Sequence, residues 1–273
     1  MTKTNANLLR FGNIGAFLIT LVINGLANTT VLNGRTTGQV SDLYPTLVTP
    51  EGYVFAIWGV IYVLLLAFIV YQALPSQKDK PFQKQIGAIF ILSNLFNCIW
   101  LFLWQYNLIT VSVIIMLGLL ATLITIYLRL NIGKTKVPLK EKLLVHLPFS
   151  VYLGWITIAT IANVASALVS VNWAGFGLSP ETWAIIALVI ALVITLAVIA
   201  MRRDVAYSLV VIWALAGIAV KQNTYPTIVI TAEIAIAVIL ISLALSLLTW
   251  RLKHKTKPFR PDEELSITQT KHL

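Results

Sequence analysis

Four stretches of the chain set large aromatic rings and side-chain amides three or four residues apart. Asn13, Phe17, Thr20, Asn24 and Asn28 make the first series, and Glu51, Phe55, Trp58 and Tyr62 the second. Ser93, Asn97, Trp100 and Trp104 make the third, and Tyr152, Trp155, Ala159 and Asn163 the fourth. On helices this spacing gathers each series onto one face. Such faces suit binding more than bond-breaking: broad π surfaces hold a flat, largely apolar molecule while a few amides orient it. The competing reading is structural, with asparagines bonding across helices and rings filling the core.

Groups for acid–base or metal chemistry are sparse. Glu233 is the one carboxyl well inside an apolar stretch. It lies roughly 13 Å along a helix counted from residue 225, near a bilayer midplane. At that depth it is a candidate proton or ion site, or else a neutral group bonded to another helix. Asp204 follows Arg202 and Arg203 and reads as their surface partner. Lys221 reads as a cation snorkelling at a helix end. His146 stands near the start of an apolar stretch. The three histidines share no helix face, and the single cysteine, Cys98, sits in an apolar stretch, so no metal site is expected. There is no His-Glu-x-x-His, no Gly-x-Ser-x-Gly, no nucleotide-binding loop and no pair of intramembrane acids. The sequence therefore argues against an enzyme and requires no cofactor.

The elements that position these residues follow from composition. Of 273 residues, 58% are hydrophobic and 11% charged, with a mean hydropathy of +0.86. A soluble domain could not cover its surface with so few polar groups, and a disordered chain is polar and charged. The apolar runs are continuous rather than alternating, which excludes a β-barrel. The expected fold is an all-α, polytopic helical membrane protein with about eight transmembrane helices, near 11–33, 51–74, 85–104, 108–129, 143–170, 181–201, 205–221 and 225–250.

Charge placement supports that count. With eight spans, both termini share one side, and that side receives 18 of the 20 Lys and Arg; only Arg35 and Lys221 fall opposite. This is the positive-inside pattern, so the net charge of +10 reports topology rather than a nucleic-acid partner. The expectation is an integral protein of a bacterial-type plasma membrane, with N- and C-termini cytoplasmic. Residues 251–273 form a basic, then acidic tail suited to anionic lipid headgroups. On the opposite side, loop 34–50 is stiffened by Pro45 and Pro50 and is long enough to fold over the bundle as a lid.

The loop and the helices after it carry a resemblance. The stretch YPTLVTPEGYVFAIWGVIY supplies Tyr44, Pro45, Leu47, Pro50, Phe55, Trp58 and Tyr62. The third span adds Asn97 and Trp100, and the fifth adds Trp155, Ala159 and Asn163. In this order the motifs resemble the tryptophan-rich sensory protein, or translocator protein (TspO/MBR), family, whose common form has five helices. The resemblance covers roughly residues 10–170. Leu43 stands where the family usually has tryptophan, and Pro148-Phe149 lies seven residues before Trp155 rather than four. This chain then looks like an extended relative: a five-helix core over 1–170, three further helices over 171–250, and the tail.

The resemblance implies a membrane-embedded sensor, regulator or carrier that binds a tetrapyrrole such as protoporphyrin or haem, or a sterol-like molecule. It places ligand contacts at Tyr44, Pro45, Leu47, Phe55, Trp58, Tyr62, Asn97, Trp100, Tyr152, Trp155, Ala159 and Asn163. The alternatives are a secondary transporter or permease subunit using Glu233, and, third, an intramembrane lipid- or porphyrin-modifying enzyme. Expected partners are the lipid bilayer and a small hydrophobic ligand. The frequent Ala and Gly of several spans would also suit a homodimer.

Overall fold

The computed structural model describes residues 3–255; residues 256–273, most of the expected tail, lie outside the described residues. Among the described residues every regular element is helical. Helix α1 (Lys3–Asn28) is followed by a short α2 (Thr37–Asp42). A 3-10 turn (Gly52–Ala56) leads into α3 (Ile57–Ala73), and α4 (Pro81–Ile86) precedes α5 (Ile89–Gln105) and α6 (Ile109–Arg129). Helix α7 (Leu139–Glu141) runs through a π-helical turn (Lys142–His146) into α8 (Leu147–Ser170). Helices α9 (Pro180–Arg202), α10 (Val205–Lys221) and α11 (Pro226–Lys255) complete the chain. Six helical stretches are long and apolar enough to cross a membrane. Helices α5 and α10 are shorter apolar helices of 17 residues each, and with them the eight expected spans are accounted for.

Local chemistry sets the boundaries. The first helix stops at Asn28 rather than near residue 33, because Thr30 (φ 65°) and Gly34 (φ 67°) turn left-handed. The third span is broken at Gly87 (φ 49°), a conformation glycine adopts without a β-carbon clash. Ser179 caps α9 by accepting the Thr182 N–H at 3.1 Å, with Pro180 in the first turn.

Helix α8 is the central post. Residues 148–158 are buried in an unbroken run, which on a single helix requires neighbours on every side. Those neighbours are α3, α6 and α10. Gly154 admits the closest of them: a β-carbon there would stand 3.0 Å from the Tyr207 carbonyl of α10. On the side of the chain termini, Phe68, Phe90 and Phe149 pack edge to face with ring centroids 5.1–5.8 Å apart. Arg10 closes the same end by donating to the carbonyls of Gln72 (3.1 Å) and Ala73 (2.8 Å), the cationic cap that a helix C-terminus favours.

Candidate ligand-binding site

The four series converge around Trp58. Its ring stacks on Tyr62 (centroids 5.6 Å apart) and Trp100 (6.1 Å), and meets Tyr152 (6.0 Å) and Trp155 (6.2 Å) edge-on. Trp100 stacks in turn on Trp104 at 5.7 Å, and Phe55 meets Trp155 at 5.9 Å. Amides fix the rings. Asn24 donates to Asn97 (2.8 Å), and Asn97 donates to the Tyr152 hydroxyl (3.0 Å), linking α1, α5 and α8. The Trp100 indole donates to Asn163 (2.9 Å), and Asn163 donates to Ser112 of α6 (3.0 Å). Trp155, 2% exposed, differs from its neighbours: its indole N–H has no partner. The Tyr62 hydroxyl is likewise buried without a hydrogen bond.

Two spaces adjoin this cluster. A chamber under the lid is lined by α2 (Thr37, Ser41), Pro50, the rings of Phe55, Trp58, Trp100, Trp104 and Trp155, and the α8 residues Ile158, Ala159, Ala162, Asn163 and Ser166. Its free volume is about 30 Å³, room for little more than water, because the rings occupy one another's space. A larger cleft of about 390 Å³ opens beside it, bounded by Asn28, Thr36, Gly38, Gly52, Phe55, Ala56, Trp58 and Gly59. That volume falls in the usual range of small-molecule sites, about 300–1,000 Å³. Phe55 and Trp58 are walls of both.

The expected contact residues divide accordingly. Phe55, Trp58, Trp100, Trp155, Ala159 and Asn163 line the chamber. Asn97 and Tyr152 are bonded to each other beside it, and Tyr62 supports it by stacking on Trp58. The loop residues do not line it: Tyr44 turns to Asn107 (3.3 Å), Pro45 is exposed, and Leu47 packs on the outer core. Within loop 34–50 it is the short helix α2 that lies over the chamber, its Thr37 carbonyl accepting the Trp104 indole N–H at 3.1 Å. Thr36 accepts the Gln39 N–H, and the Gln39 side chain accepts the Thr36 N–H, a capping box readable in the sequence. Ala162 and Ser166 continue the α8 face by helical steps from Ala159.

A family model described as TSPO-like protein matches residues 9–245. The chain belongs to the TSPO-like protein family. The match runs past residue 170 into α11, so it takes in the last three helices as well as the first five. With its apolar helices, the family makes the chain an integral multi-pass membrane protein. No curated protein and no solved structure matches it.

In this TSPO-like chain, α10 braces the lid. Lys221, at the end of α10, pairs with Asp42 at 2.7 Å, the one salt bridge among the described residues. Gln222 donates to the Thr46 carbonyl (3.3 Å), the Glu51 N–H to the Gly217 carbonyl (3.1 Å), and the Trp213 indole to the Val54 carbonyl (3.2 Å). The lid is therefore held by Trp104 of α5 on one flank and by α10 on the other.

Three further groups lie away from the chamber. Asp204 is not a surface partner of Arg202 and Arg203; it is 6% exposed and caps α10 by accepting the Tyr207 N–H at 3.1 Å. Tyr127 (2.8 Å) and Ser150 donate to its other oxygen. Arg202 turns aside, donating to Asn131 (2.7 Å) and lying over the Tyr127 ring. His146 is buried in the π-helical turn, roughly 13 Å of helix from Trp155, too far to meet a guest in the chamber. Glu233 is exposed on the outer face of α11, beside Ile230 and Ile234, so a transport reading gains no pathway residue from it.

Proposed function

We propose that this chain is a membrane-embedded binding protein, a sensor or carrier, for a flat apolar molecule bearing a hydrogen-bond acceptor. Planar tetrapyrroles such as protoporphyrin are preferred to sterol-like molecules. The observation that carries the reading is the Trp155 indole: a buried donor without a partner, set among rings that line a chamber. An unsatisfied buried donor costs about 1–3 kcal/mol, which a guest carbonyl or carboxylate would recover. Stacked indoles favour a planar π system over the puckered rings of a sterol. The chamber, at about 30 Å³, does not hold a macrocycle, so binding requires the Trp58 and Phe55 rings to move aside.

The test is saturable binding of protoporphyrin IX, with cholesterol as competitor, followed through the porphyrin's own fluorescence in detergent-purified protein. Trp155→Phe keeps the ring and removes the donor. It is expected to weaken porphyrin binding five- to tenfold, about 1–1.4 kcal/mol. The same substitution should cost less thermal stability than Trp155→Ala, since it keeps a ring in the packed site and deletes an unpaired donor. Absence of saturable binding, or affinity indifferent to both Trp155→Phe and Trp155→Ala, would remove the proposal.

A further inference from the structure

We propose that guests reach the chamber sideways, from within the lid-side leaflet, through the cleft between α1 and α3, with the Trp58 ring as the gate. The proposal rests on the binding role given to the chamber above. The substrate class that follows is a bilayer-dissolved amphiphile: a flat apolar body with a polar end that stays near the membrane surface.

Chamber and cleft share Phe55 and Trp58 as walls, so displacing these two rings joins about 30 Å³ to about 390 Å³. The cleft owes its openness to Gly59. Glycine inside a helix costs about 1 kcal/mol against alanine, and membrane helices usually recover that through close packing. Nothing packs on Gly59: a β-carbon there meets no atom within 4 Å, and no left-handed φ calls for glycine. What the missing side chain provides is the gap itself. Asn28 and Thr36 bound the cleft where α1 ends and α2 begins, and give the polar end of an amphiphile hydrogen-bonding groups there. From above, α2 is anchored over the chamber by the Trp104 indole at 3.1 Å and by the Asp42–Lys221 pair at 2.7 Å, which favours the side route.

A blocked passage raises the barrier in both directions and leaves the end states alone. Gly59→Leu, in protein reconstituted into phosphatidylcholine nanodiscs, is therefore expected to slow association and dissociation of protoporphyrin IX at least tenfold each, with Kd within twofold of the parent. Gly15→Leu on the outer face of α1, also free of neighbours within 4 Å, controls for leucine added to the lipid surface and should leave both rates unchanged. Parent-like rates in Gly59→Leu, equal slowing in Gly15→Leu, or a raised Kd without slower association would each overturn the passage while leaving the chamber's role intact. A parent protein that binds no porphyrin would overturn both.

Discussion

Replacing Asp204 with alanine is expected to lower the unfolding free energy by about 3–5 kcal/mol. Three donors converge on this carboxylate: the Tyr127 hydroxyl of α6, the Ser150 hydroxyl of α8 and the Tyr207 N–H that opens α10. Each donor left unsatisfied and buried costs about 1–3 kcal/mol, and loss of a helix cap alone costs about 0.5–2. The two hydroxyls rotate and recover part of the loss, which keeps the total in the lower half of the sum. Asp204→Asn retains an oxygen for the Tyr207 N–H but presents an amide where two hydroxyls donate. Its expected loss is smaller, about 1–2 kcal/mol. Reversible unfolding in mixed micelles, followed by circular dichroism, measures both. An alanine variant within about 0.5 kcal/mol of the parent would mean that the cluster does not tie the three helices together.

That cluster shows where sequence reading ends. Asp204 follows two arginines, and charge order suggests a local ion pair. What separates them is Arg203 in the left-handed conformation (φ 53°), which ends α9 and sends the chain into a new helix that Asp204 caps. The aromatic and amide series were legible because helical spacing places Phe17, Asn97, Trp100 and Asn163 on inward faces whatever the partners are, and all four are buried. The face of Glu233 was not legible: α11 leans on α9 and α10, and that choice of neighbours turns the carboxyl outward. The lid helix spans six residues, too few for periodicity, and its Thr36–Gln39 capping box is a short pattern that carries little weight alone. Nor does spacing say whether facing rings leave a hollow between them. Here they touch, and the chamber shrinks to a space that opens only when Trp58 moves.

The brace between α10 and the lid makes the second large effect. Gly217→Leu is expected to reduce porphyrin affinity at least tenfold and to lower stability by about 2–4 kcal/mol. A β-carbon at Gly217 would overlap the Val54 side chain and stand 3.2 Å from the Pro50 β-carbon, so α10 must withdraw from the turn that opens α3. Overpacking of this kind costs about 1–3 kcal/mol. Withdrawal also stretches the bonds from the Glu51 N–H to the Gly217 carbonyl and from the Trp213 indole to the Val54 carbonyl, at about 0.6 kcal/mol each in a membrane. Pro50 and Phe55 both line the chamber, so their displacement reaches the guest directly. The contrast with Gly59→Leu is diagnostic: one glycine-to-leucine change alters rates at constant Kd, the other alters Kd. Val54→Ala removes the overlapped methyls and should return at least about 1 kcal/mol of the Gly217→Leu loss in a double-mutant cycle, because the two positions touch. Additive effects at the two positions, or Gly217→Leu binding porphyrin as the parent does, would show that α10 stands beside the lid without holding it.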